Sequence, residues 1–388
     1  MILNSTGWMN QTALVELHYT VRIIFLTYSV LLILFGCTGN LLLITTLVYK
    51  QRRQVITNRN HRSISSHSTT ATTALPYRKP RKKCFKSTAD YLLFLVTLCE
   101  FCSIWTVVLR YTIQLALGND LRTRYKHGCV IQKFFTSLVT HVFVALLCVF
   151  LAQRAFSMRW PLLARKLITR FRLNCCLVSI LAFISLKHVP VLFIYAGVED
   201  PHSTNCATQP YAIAITADKV YRLFDFITHS IIGYSLMVLL NAILYSSLRQ
   251  YRALPEVNST RILTSPRHPV PYSAQKTSVG VHSRGLAASR IILCLSVSQV
   301  ISTIPYFILI ELFGILKVNW LTPRNYLTLY YACVFTLFTN YVINYFVVLL
   351  ISSRIRQISV KMFASVRGRA FGAWRRLTLG TRSQRRIS

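Results

Sequence analysis

The chain has 388 residues, 53% of them hydrophobic, with a mean hydropathy of +0.45. Only 14% are charged, where a soluble domain carries about 25%, yet 45 Lys and Arg oppose 10 Asp and Glu for a net charge of +35. A chain both this apolar and this basic is neither an ordinary soluble enzyme nor a soluble nucleic-acid binder; it predicts apolar spans joined by basic loops.

In chain order, seven stretches approach the roughly 20 apolar residues that cross a bilayer. They are 22–49, 88–110, 129–153, 172–197, 223–248, 289–316 and 325–350. Glu100 weakens the second, and Lys187 with His188 weaken the fourth. The spacing is irregular and no internal repeat is visible, which argues against a duplicated transporter. The expected fold is therefore an all-α membrane bundle of seven helices. Residues 1–21 precede it, 22–350 form it, and 351–388 are a tail.

Basic residues set the orientation, because Lys and Arg beside spans are retained in the cytoplasm. Segments 50–87, 154–172, 249–290 and 354–388 hold 34 of the 45, all on one alternating side. This predicts the amino terminus outside and the carboxyl terminus inside. Asn4 and Asn10 each begin a glycosylation triplet, useful only on the outer side. Met1 to Glu16 lacks the basic start and apolar core of a cleavable signal, so the first span is expected to serve as the anchor.

Of the eleven cysteines, eight lie in or beside spans and Cys84 lies in a cytoplasmic segment. Only Cys129 and Cys206 face the oxidising side, so they are expected to pair. Cys99 and Cys102 form a CxxC, but inside a span and with no second CxxC they read as packing thiols rather than a metal site.

Specific residues now fall on these spans. The first carries Gly39-Asn40; the third begins at Cys129 and ends at Gln153-Arg154-Ala155; the sixth holds Pro305; the seventh holds Asn344, followed by Ser352-Ser353-Arg354-Ile355-Arg356. In this order and spacing the whole chain resembles the rhodopsin-like (class A) G protein-coupled receptors. Trp160-Pro161-Leu162-Leu163-Ala164-Arg165, Asn241 and Ile343-Asn344-Tyr345-Phe346-Val347 are similar to runs in invertebrate FMRFamide-type neuropeptide receptors. The departures are equally plain. The family's Asp/Glu-Arg-Tyr is Gln153-Arg154-Ala155, its helix-five Pro is Gly233, and Asn-Pro-x-x-Tyr has lost both Pro and Tyr.

The resemblance implies roles. Arg154 would line the cavity that admits a G protein, with Gln153 unable to make the acid's ion pair. The family's helix-two acid is Glu100, and Asn40, Asn340 and Asn344 take the positions around it. A buried charge there costs roughly 2.5–3.5 kcal/mol on insertion scales, so a protonated Glu100 bonded to the asparagines is preferred over a sodium site. Residues 50–87 read as a long, disordered basic loop attracted to anionic lipid. Ile355, Ile358, Met362 and Phe363 recur at helical spacing, which predicts a short amphipathic eighth helix at the interface.

The function these readings predict is a receptor for an extracellular ligand, a neuropeptide first, that activates a heterotrimeric G protein. An arrestin or kinase could act at the tail. No enzymatic activity, cofactor or nucleic-acid partner is expected. The alternatives are a chemosensory or orphan receptor of the same fold, or a polytopic transporter. A ligand ending in Arg and an aromatic amide would need an acid above aromatic walls. Asp225, at the start of the fifth span, and Glu311, near the outer end of the sixth, are the candidate anchors. Tyr306 and Tyr330 are the leading wall residues, with Tyr221, Phe224 and Phe307 beside them.

Overall fold

A computed structural model of the chain describes residues 19–66, 87–118, 127–195, 212–253, 272–312 and 323–365, with backbone alone at 54–66, 165, 251–253, 272–285, 310–312 and 323–324. Every element among these residues is helical. Among the described residues seven helices are long and apolar enough to cross a membrane, which makes this a multi-pass membrane protein. They are α1 (Tyr19–Ser66), α2 (Thr88–Leu117), α3 (Gly128–Arg159), α4 (Arg170–His188), α5 (Ala212–Gln250), α6 (Tyr272–Tyr306) and α7 (Pro323–Ile351).

Local chemistry sets several ends. The Ser87 hydroxyl accepts from the Asp90 amide at the start of α2, and Thr169 accepts from the Arg172 amide at the start of α4. Gly118 closes α2 at φ 74°, the left-handed geometry that favours glycine. A short helix, Pro161–Leu167, opens on proline, whose missing N–H costs nothing in a first turn. Pro305 sits inside α6, where it removes a backbone donor, and the helix widens into a π segment over Phe307–Leu312. Two further π segments interrupt α2 at Ile104–Val108 and α5 at Phe226–Gly233.

The helices close a ring in which α1 packs on α2, α6 on α7 and α7 back on α1, while α3 touches α2, α4, α5 and α6. That central place buries Phe143, Leu147, Phe150 and Leu151 almost completely. The contact of α1 with α7 is close: a Cβ at Gly39 would lie 2.8 Å from the Tyr345 ring. Apolar side chains such as Phe171, Val178, Phe183 and Leu186 point outward from α4, as lipid-facing residues do.

Two expected boundaries need correction. The loop expected from residue 50 begins later, because α1 continues unbroken to Ser66; no Gly or Pro interrupts 51–66. The fifth helix begins at Ala212, not near 223. Its first turns carry Asp218, Lys219 and Arg222, which hide it from a search for apolar runs. The ions are accommodated because Arg222 pairs with Asp218 at 2.8 Å, one turn away. The sixth helix starts at Tyr272, but its membrane-length apolar part begins at Leu286, close to the expected 289.

Candidate functional site

Two groups of buried polar side chains occupy the bundle. The first lies around α2, α6 and α7. Asn344 donates to Glu100, whose side chain is shut off from solvent. Asn340 donates to Gln299 and accepts from the Ser298 hydroxyl at 2.6 Å, which ties α7 to α6. Asn40 instead donates to the Tyr341 carbonyl at 3.2 Å. The expected ring of three asparagines on Glu100 thus reduces to Asn344 alone. The other two donate to a backbone carbonyl and to an amide, which satisfy buried donors equally well. Ser296 donates to Asn241 at 2.5 Å and joins α6 to α5.

The second group lies between α3, α4 and α5. Lys187, on α4, holds Asp225 of α5 at 2.7 Å and lies 3.4 Å from His141 Nδ1 on α3. His188, fully buried, reaches His141 Nδ1 through Nε2 at 2.7 Å and the Tyr221 hydroxyl through Nδ1 at 2.7 Å. The His229 ring stacks on His141 with centroids 3.7 Å apart. Towards the end of the bundle where α3 begins, Tyr195 donates to Asp218, which Arg222 also holds. Lys133 sits 3.2 Å over the Tyr195 ring. Cys129, Val130, Val191 and Ile194 pack around these tyrosines as a small second core.

This placement gives Asp225 a partner that the ligand-anchor expectation did not include. It does not start a span; it lies about 20 Å into α5 at 1.5 Å per residue. Its carboxylate is already committed to Lys187, so an incoming guanidinium would have to displace an ammonium. Tyr221 likewise faces His188 rather than an open cavity. The side chain of Glu311 lies outside the described residues. Tyr330 bonds the Tyr111 hydroxyl at 2.6 Å, linking α7 to α2, and Tyr306 is half-buried against the main core. Phe307 stacks on Phe226 at 5.3 Å.

At the other end of α3, Gln153 donates to Thr88 at 3.4 Å and to Ser157 at 3.3 Å, leaving its own carbonyl oxygen without a partner. Arg154 follows. Its guanidinium lies 5.8 Å from the Phe150 ring centroid, and its Nε, shielded from solvent, has no hydrogen-bond partner. Lys50 and Asp90 pair at 2.8 Å near this level, between α1 and α2. Eight described cysteines, including Cys99 and Cys102, carry free thiols; Cys129 is not among them and is fully buried. Its expected partner Cys206, the glycosylation candidates Asn4 and Asn10, and most of the basic loop lie outside the described residues.

The α3–α4–α5 cluster was the missed feature. Its signal was present as Lys187 and His188 inside an otherwise apolar span, since an ionisable residue at membrane depth implies a partner. No protein-family model matches this chain, and no curated protein matches it.

Proposed function

We propose that this protein is a receptor that binds an extracellular ligand, a neuropeptide first, and activates a heterotrimeric G protein from the opposite face. The reading rests on sequence resemblance to the rhodopsin-like receptors. The observation that carries it is Arg154. The residue stands near the end of the central helix of a seven-helix ring, with an acid replaced by Gln153 and with Nε left unpaired. A planar guanidinium with spare donors suits the carbonyl-rich end of a partner helix.

Three finer parts belong to the same proposal. The orientation is amino terminus outside, in the plasma membrane. A Cys129–Cys206 bridge ties α3 to the second outer loop, in keeping with Cys129 standing apart from the free thiols. Residues 353–365, which are helical with Ile355 buried and Arg356 exposed, lie along the membrane surface as an amphipathic eighth helix.

The test is G protein activation in cells presented with a panel of amidated peptides, using Arg154→Ala as the control. The variant should reach the surface and lose most of the signal. Undiminished signalling from a well-expressed Arg154→Ala protein overturns the coupling role. Silence of the wild type towards peptides, but a response to small odorants or amines, would favour the chemosensory alternative.

A further inference from the structure

We propose that His141, His188 and Asp225 form a binding site for a zinc-class divalent cation, held closed in the resting protein by the ammonium of Lys187. The site does not depend on the receptor reading.

The donor set comes first. Two imidazoles and one carboxylate, each from a different helix, bring their ligand atoms within 4.8 Å of one another. Among the described residues no other group of three such side chains does so. Nitrogen and oxygen ligands of this mixture suit Zn²⁺, which binds imidazole and carboxylate at about 2.0–2.2 Å. Donors at that radius in a tetrahedron stand roughly 3.3–3.5 Å apart. His141 Nδ1 and Asp225 Oδ1 are already 3.6 Å apart. His141 Nδ1 and His188 Nε2, at 2.7 Å, share a proton and would separate by less than an ångström when a metal replaced it.

The surroundings are built as a metal site requires. A ligating histidine usually engages an oxygen through its other ring nitrogen, which fixes the ring's orientation. His188 does this, with Nδ1 on the Tyr221 hydroxyl at 2.7 Å. Asp225 Oδ1 is shielded from solvent and makes no hydrogen bond of ordinary geometry. His229, stacked on His141, supports the orientation of that ring.

Lys187 decides the affinity. Its Nζ is 2.7 Å from Asp225 Oδ1 and 3.4 Å from His141 Nδ1, so the ammonium holds the place a cation wants. Asp218 cannot offset a second cation, because Arg222 and Tyr195 already occupy it. A dication beside a retained ammonium would leave an excess of positive charge among helices, at high cost. Metal and ammonium therefore exclude each other. Lys187 Nζ also lies 5.9 Å from the Phe224 ring centroid, an aromatic face towards which the displaced head can move.

The experiment uses the purified full chain in detergent, with Co²⁺ as a visible probe and Zn²⁺ as competitor. Wild type should take up one equivalent into a site giving an intense cobalt d–d band, and Zn²⁺ should erase that band. Lys187→Met should tighten Zn²⁺ binding about tenfold or more, and His188→Ala should abolish the band; Tyr221→Phe should weaken binding by roughly 10-fold. Thermal melting gives a second readout: Lys187→Met should be less stable without metal, and Zn²⁺ should raise its melting temperature more than that of wild type. The proposal fails if neither wild type nor Lys187→Met shows the band. It fails equally if the band survives in both His188→Ala and His141→Ala, which would put the metal on histidines elsewhere in the chain.

Discussion

Between α6 and α7 the buried polar contacts join amides and a hydroxyl; between α3, α4 and α5 they join an ammonium, a carboxylate and imidazoles. Both regions tie helices together, but they store free energy differently. An amide that loses its partner leaves one local hydrogen-bonding deficit. A buried ion that loses its partner leaves a net charge in a medium that cannot screen it. The first kind of contact tolerates exchange for another neutral donor, and the second does not. Tyr234 joins the two regions: His229 packs against it edge-on at 5.8 Å, and Gln299 donates to its hydroxyl at 3.4 Å.

The comparison can be broken most forcefully at Lys187. Lys187→Met should cost roughly 3 kcal/mol in metal-free buffer, the lower end of the range for breaking a buried pair, because Asp225 keeps 28% of its side-chain exposure. Asp225→Asn should cost a similar amount, and Lys187→Met with Asp225→Asn should regain most of it. Thermal unfolding in detergent reads all three. Single variants as stable as wild type would mean that the pair holds nothing together.

A smaller effect is expected in the neutral region. Asn340→Ala removes the donor to Gln299 and the acceptor for Ser298, at a cost of about 1–3 kcal/mol. Asn340→Gln, which can restore only one of those bonds, should fall between the alanine variant and wild type. An alanine variant with an unchanged melting temperature would place the α6–α7 contact in apolar packing alone.

The smallest change sharpens the contrast most. Glu100→Gln keeps an oxygen to accept from Asn344, so it should cost less than about 1 kcal/mol if Glu100 is protonated. Asp225→Asn makes the same chemical exchange in the other region and should cost several times more. Equal losses would mean that Glu100 carries a charge, and the two regions would then be alike in kind.

How much of this was legible depends on whether a feature is local in sequence. The hydrocarbon-crossing runs were, because roughly twenty consecutive apolar residues have few other uses. The start of α5 was not, because Asp218 and Arg222 neutralise each other only once helix geometry brings them together. The site followed the same division. Glu100 declared itself as an acid in a span, but which of three asparagines it would meet depended on the rotation of α1 and α7. Asp225 was singled out for its charge, but its pairing with Lys187 was not foreseen, since that distance is set by how α4 and α5 pack. The histidine cluster draws on positions 141, 188 and 229, which no spacing rule connects.

The length of α1 has a mechanical consequence. Its 48 residues make a rod of about 72 Å, against a hydrocarbon core of about 30 Å. Lys50 is pinned to Asp90 on α2, and about 24 Å of helix continues beyond that pivot to Ser66. A rotation of about 10° in the packed part would carry the far tip through about 4 Å. The far end of α1 thus magnifies small reorientations of the bundle into displacements that a label near Ser66 can register.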